Sequence, residues 1–211
     1  MAVRRRSRPD ATRRSESSRR AILTAAFELV GEVGYPRLSI EGIAARAGVG
    51  KQTIYRWWPS KGAVLFDSFL MLSEGTEEGI GKGSLPDTGD LGADLRSVLH
   101  ATVGELNDPR YDGPMRALTI EIANDPELAA LYAERLEEPL RAMKRERLRS
   151  AQRAGQLPSD LDLDTAIDLI WAPLFQRWLK RVEPVTLDYA DRVAETALRA
   201  LGATGIGHPR T

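Results

Sequence analysis

The chain has 211 residues, enough for one large or two small domains around a sizeable core. It has no cysteine, which excludes disulfides and thiolate chemistry, and its only histidines, His100 and His208, make a nitrogen-rich metal site unexpected. The formal net charge is zero, yet residues 1–66 carry 13 Lys or Arg against 5 Asp or Glu (+8), and residues 67–211 carry 17 against 25 (−8).

Residues 1–14 contain Arg4, Arg5, Arg6, Arg8, Arg13 and Arg14 with little apolar material, the composition of a disordered basic arm. A first helix is expected from about Ser15 to Gly31, because Ile22, Leu23, Ala26, Phe27 and Val30 recur at the spacing of one buried face. Gly34, Tyr35 and Pro36 stop it.

The stretch from Ser39 to Lys61 spells two short helices joined by a tight glycine turn. Ser39 stands at an N-cap position, although Gly42 occupies the place of the Glu or Gln that would complete a capping box. Ala44 is small enough for a steep helix crossing, Gly48 tolerates the positive φ of the turn, and Ile54 closes the pair with Ile43, Val49 and Trp58. A helical hairpin inside a core could share this spacing. The outward residues of the second helix argue against it: Lys51, Gln52, Thr53, Tyr55, Arg56 and Trp57 suit phosphates and base edges. The excess of positive charge in this half also favours duplex DNA as the partner.

Pro59 and Ser60 break the chain before a fourth helix near Lys61, with Val64, Leu65, Phe69 and Leu72 as its apolar face. The expected organisation is a basic arm (1–14), a helix-turn-helix domain (15–61) and a C-terminal domain (62–205). Gly75 to Asp90 is rich in Gly, Ser, Pro and Asp and suggests a flexible connection. Helical periodicity returns over Leu91 to Leu106, Met115 to Ala123 and Pro126 to Ala154, the last kinked or split by Pro139. No period-two alternation persists, so the class is all-α.

The last two helices carry wide apolar stripes. The first presents Ile167, Ile170, Trp171, Leu174, Phe175, Trp178, Leu179 and Val182, with Pro173 as a bend; the second presents Ala190, Val193, Ala194, Ala197, Leu198 and Leu201. Two such helices from each of two chains could form a four-helix homodimer interface through Ile167, Leu174, Val193, Ala197, Leu198 and Leu201, or these residues are ordinary core. Two-fold pairing would double the bases that one short recognition helix reads.

No catalytic residue, cofactor or metal site is expected, because no glycine-rich phosphate loop or recognisable pair of catalytic carboxylates is present. Asp160, Asp162, Asp164 and Asp168 lack the glycine and terminal glutamate of a calcium loop and fit helix N-terminal acidity better. No stretch approaches the roughly 18 apolar residues of a membrane span and no secretory signal is recognisable, so a cytoplasmic location is expected.

Residues from about Ser18 to Phe69 resemble the DNA-binding part of the tetracycline-repressor (TetR) family. The resemblance is carried by the Ala21-to-Gly34 helix with Phe27, then Ser39-Ile40, Ile43-Ala44, Ala47-Gly48-Val49, Thr53-Ile54-Tyr55, Trp58 and Ser60-Lys61. It implies a three-helix DNA-binding head and a helical C-terminal domain that dimerises and holds a small-molecule effector, which relieves repression. Ser39 would then bond a phosphate, Lys51 and Gln52 would reach base edges, Thr53, Tyr55 and Trp57 would line the backbone, and Lys61 would close the contact. Trp57 departs from the Tyr or His of many relatives, and Glu41 would repel phosphates unless it accepts from cytosine or faces away, the second being expected. Apolar or aromatic character marks Met71, His100, Met115, Tyr132, Trp171, Phe175 and Trp178 for the effector pocket. A constitutive or protein-controlled DNA binder without a ligand is the alternative.

Overall fold

The computed structural model describes residues 11–74 and 84–204. Among them there are helices and no strands. The chain divides into two compact units, one drawing on residues 1–76 and 113–128, the other on residues 77–112 and 129–211.

The first unit is built on α1 (Ala11–Val33), a 3-10 turn (Tyr35–Arg37), α2 (Ile40–Ala47), α3 (Lys51–Tyr55) and α4 (Lys61–Glu74). Its first helix begins four residues earlier than its apolar periodicity suggests and runs two residues beyond Gly31, to the expected stop at Gly34, whose φ of 74° takes it out of helical geometry. Ile22, Leu23, Ala26 and Val30 of α1 are buried in this unit together with Ile43 and Ala44 of α2, Ile54 of α3 and Val64, Leu65, Phe66 and Phe69 of α4. Each large apolar side chain removed from water in this way contributes about 1.5–3 kcal/mol. The expected domain boundary at Lys61 falls inside this unit, because the apolar face of α4 packs against α1. Residues 1–10 of the expected basic arm lie outside the described residues, and residues 11–14 belong to α1.

The second unit contains α5 (Leu91–Leu106), α8 (Glu138–Arg153), α9 (Leu163–Lys180) and α10 (Leu187–Ala200). The chain between them forms α6 (Pro109–Asn124), α7 (Pro126–Tyr132) and a π-helical turn (Ala133–Glu137). α5 has the boundaries its periodicity predicts. α6 starts six residues before the expected Met115, because Asp108 Oδ1 accepts from Arg110 N at 2.9 Å and Pro114 is absorbed within the helix. Near a helix N-terminus the missing N–H of proline removes a single bond, to the Arg110 carbonyl, and the helix continues. The long Pro126-to-Ala154 segment splits at the π-helical turn, immediately before Pro139.

α5 and α10 pack together through Leu91, Leu95, Leu99, Ala190, Ala194 and Leu198, while Leu148, Ile167, Ile170 and Leu174 bury the contacts of α8 and α9. Within this core lies an ion pair, Arg147 Nη2 to Asp94 Oδ2 at 2.6 Å, both side chains 3% exposed. Asp94 also accepts from Thr88 Oγ1 at 2.7 Å, Arg147 Nε donates to the Pro86 carbonyl, and Ser150 donates to Asp87. Residues 84–90 are therefore fastened to α5 and α8 rather than free, whereas residues 75–83 of the expected flexible connection lie outside the described residues. The aspartates near α9 act as helix and ion-pair groups. Asp162 caps the helix, accepting from Thr165 N at 2.7 Å, and Asp164 and Asp168 pair with Arg141.

Candidate nucleic-acid interface

Three backbone decisions shape the candidate face. Ser39, in extended conformation, accepts from Gly42 N through Oγ at 3.1 Å and starts α2. Gly48 adopts φ 66° and ψ 33°, the left-handed conformation that ends α2, and its N–H bonds back to the Ala44 and Ala45 carbonyls. Gly50 then opens α3 without a side-chain cap. Ile54 is fully buried and Trp58 nearly so, which fixes the rotation of α3 and turns Lys51, Gln52, Tyr55 and Arg56 outward. Tyr55 is 52% exposed, an unusual position for a large aromatic ring unless something covers it.

Thr53 and Trp57 are half-buried at the edge of this face, Trp57 edge-on against Trp58 at 5.4 Å between ring centroids. The Arg56 guanidinium sits over the Trp57 ring at 5.2 Å, so the tryptophan also orients a cation. Ser39 remains exposed while capping α2.

Two cations expected to touch DNA have partners inside the head. Lys51 Nζ donates to Glu41 Oε1 at 3.0 Å, so Glu41 is turned toward the start of the recognition helix and does not face away as expected. The lysine hydrogen bond holds the Glu41 carboxyl below the usual carboxylate range, and Glu41 in turn raises Lys51, keeping both charged at neutral pH. Lys61 is half-buried, and its Nζ donates to the carbonyls of Tyr35 and Leu38, each at 3.1 Å, while lying 4.2 Å from the Tyr35 ring centroid. Lys61 thereby fastens the 3-10 turn to α4. Burial, with the Glu121 carboxylate beside it, pushes the Tyr35 hydroxyl well above the usual tyrosine range, so it stays protonated.

A buried clamp, with no counterpart among the expected site residues, closes the back of the head. Asp67 Oδ2 accepts from Arg19 Nη2 at 3.0 Å and from Trp58 Nε1 at 2.9 Å, joining α4 to α1 and to the exit of α3. The Arg19 guanidinium also lies 5.9 Å from the Trp58 ring centroid. A carboxylate in the mostly apolar run Val64 to Phe69, which also holds Ser68, is the sequence signal that could have revealed it.

The residues expected around an effector do not share one place. Met71 and Met115 are half-buried in the first unit. In the second, Trp178 is buried with its indole donating to Asp112 at 2.8 Å, and Phe175 packs on it at 5.1 Å. His100 Nε2 contacts Asp191 at 2.7 Å, and the Lys144 ammonium covers Trp171 at 4.7 Å. Burial, reinforced by Glu137, pushes the Tyr132 hydroxyl up to about 12. A hollow of about 140 Å³ in this unit is lined by Gly89 to Gly92, Gln156, Leu198, Ala203 and Thr204, and by none of those seven residues.

Of the residues expected at a dimer interface, Ile167, Leu174, Ala197, Leu198 and Leu201 are buried within the unit and Val193 is half-buried. The apolar residues that α9 exposes are instead Leu169, at 49%, and Phe175, at 38%.

Residues 22–67 match the family described as bacterial regulatory proteins, tetR family, and residues 85–197 match the tetracyclin repressor-like C-terminal domain. The chain is 34% identical over 192 residues to the uncharacterised HTH-type transcriptional regulator YdeS of Bacillus subtilis, covering 90% of this chain and 93% of that one. It is 31% identical over 119 residues to the HTH-type transcriptional repressor LfrR of Mycolicibacterium smegmatis, covering 56% and 58% of the respective chains. The crystal structure of the TetR family transcription regulator SCO0332 superimposes with a TM-score of 0.67 at 31% identity, over 92% of this chain and 100% of that one.

Proposed function

This chain belongs to the TetR family of bacterial regulatory proteins, and on that premise we propose that it is a ligand-responsive, homodimeric repressor of a pseudo-palindromic DNA operator. The observation that carries the reading is the outward face of α3: Gln52, Tyr55 and Arg56 exposed on a helix whose opposite side is sealed by Ile54. Such a face has no packing purpose, and its donors match base acceptors and phosphates. Ser39 and Thr53 add hydroxyls and Trp57 an indole N–H at its border, and Lys61, with one N–H beyond its two carbonyl bonds, closes it. Lys51 joins Gln52 at the base edges.

Repression is supported by the likeness to LfrR, which is named a repressor. Pairing of two chains falls to the sides of α9 and α10 that face outward, with Leu169 and Phe175 as apolar contacts and Val193 at their margin. The effector is a small molecule held by the second unit, near Tyr132 and Trp171. A ligand that prefers the DNA-incompetent state about 100-fold supplies roughly 2.7 kcal/mol, enough to change operator occupancy substantially. The protein works where the DNA is, in the cytoplasm.

One observation favours a second reading. The hollow of about 140 Å³ is small beside the roughly 300–1,000 Å³ of ordinary ligand pockets, as expected of a DNA binder without an effector. Selection from a randomised duplex library, sedimentation and a ligand panel test these together. Enrichment of a two-fold symmetric site by a dimer, and its release by a compound that raises the melting temperature, is the expected result. Tyr55→Ala should weaken binding to all sequences. Failure to enrich any sequence, or binding as a monomer, overturns the reading, and stabilising hits that never release DNA leave the ligand-free binder.

A further inference from the structure

The two charged residues of α2 face opposite neighbours. Arg46 turns back on α1, donating to Glu32 at 2.7 and 2.9 Å, whereas Glu41 turns onto the start of the recognition helix and holds Lys51 at 3.0 Å. Both members of the second pair are more than half exposed, Glu41 at 64% and Lys51 at 55%, and Lys51 is followed by the exposed Gln52 on the outward face. An exposed ion pair of this kind does little for stability. It does place an anion among groups that otherwise attract phosphate, a poor arrangement for holding a DNA backbone.

The chemistry of the pair suits something else in the groove. An ionised carboxylate only accepts and an ammonium only donates, and the two are held side by side. A G·C pair displays the guanine N7 and O6 acceptors next to each other, with the cytosine amino donor at the end. In an A·T pair the adenine amino group sits between the acceptors and separates them. A donor followed by an acceptor therefore finds contiguous partners on G·C and a divided set on A·T.

We infer that Glu41 and Lys51 act as one unit that reads a G·C pair in each half-site, Lys51 donating to guanine and Glu41 accepting from the cytosine amino group. The inference rests on the DNA-binding reading above. It gives Glu41 a specificity role.

The test uses the full-length protein, a randomised duplex library and then the enriched duplex with each base pair changed in turn, followed by fluorescence anisotropy. Wild type should lose about tenfold in affinity for each half-site whose G·C pair becomes A·T, and about a hundredfold when both are changed. Glu41→Ala should lose that preference alone, and Lys51→Ala should lose it at the same position. Glu41→Ala should also bind unselected duplex more tightly, with a salt slope steeper by about 1.8, because the freed lysine of each protomer takes a phosphate. Glu41 is exposed, so the melting temperature of its variant should stay within a few degrees of wild type. If Glu41→Ala keeps every base preference, or flattens all of them at once, the inference is overturned. If wild type enriches no sequence, the regulator reading itself falls; if it enriches a site lacking the Glu41-dependent G·C, only this inference falls.

Discussion

Replacing Gly48 isolates what the helix-turn-helix turn demands. A Cβ added there would meet no heavy atom within 4 Å, so no steric clash contributes and the cost comes from the φ of 66° alone. The left-handed conformation costs an L-residue about 1–2 kcal/mol. Alanine also narrows the unfolded ensemble, which returns about 0.4–1 kcal/mol. Gly48→Ala should therefore destabilise by about 1 kcal/mol, a midpoint shift of about 2–4 °C for a chain of this size. Gly48→Asn should cost least, because asparagine tolerates this region, and Gly48→Val most, because a β-branched residue does not. Against a stability of about 5–15 kcal/mol the head stays folded, so DNA affinity of the Ala variant should change less than twofold. Urea unfolding and anisotropy on the same samples provide the check. A neutral alanine, or asparagine as costly as valine, would show that backbone conformation does not limit this turn.

Other perturbations separate structure from DNA contact. Asp94→Ala or Arg147→Met breaks a pair 3% exposed on both sides and should cost about 3–5 kcal/mol in urea unfolding, most of it recovered by the apolar double variant Asp94→Leu/Arg147→Met. Burial raises the Asp94 carboxyl, but Thr88 and Arg147 outweigh it and leave it below the usual range. Its stabilisation is thus complete above an unfolded value of about 4 and is lost as pH falls through the lower folded value. Melting temperature should drop below about pH 4, and an Asp94→Asn protein that keeps the same acid limb refutes that assignment. Lys61→Met should lose about 2–3 kcal/mol with its two carbonyl bonds, and a variant that lowers only the salt slope would make Lys61 a phosphate contact and nothing else.

The head was readable in sequence because each of its decisions is local. Within the fold, Ser39, Gly48 and Ile54 serve as cap, turn and seal, and the structure gives them those jobs. The extent of α5 was equally plain from its periodicity. The start of α6 was not legible from periodicity: the helix begins at Pro109, six residues before Met115, and Pro114 fits within it because one lost bond costs little in the opening turns. Long-range polar partners were out of reach: nothing near Lys61 announces the carbonyls of Tyr35 and Leu38, and nothing near Trp178 announces Asp112. Aromatic character likewise says that a side chain will be sheltered, not by what, so Trp171 lies under Lys144.

One oxygen of Asp67 serves both Arg19 and Trp58, and this ties α4, α1 and the segment leaving α3 to a single atom. Drawing α4 away would strand the buried indole N–H of Trp58, at a cost of about 1–3 kcal/mol, and take the carboxylate from Arg19. Bending the head internally is thus dearer than carrying it whole. It should behave as a stiff die, keeping its shape whether or not it is pressed to DNA, and its grip on an operator becomes a matter of where it is carried.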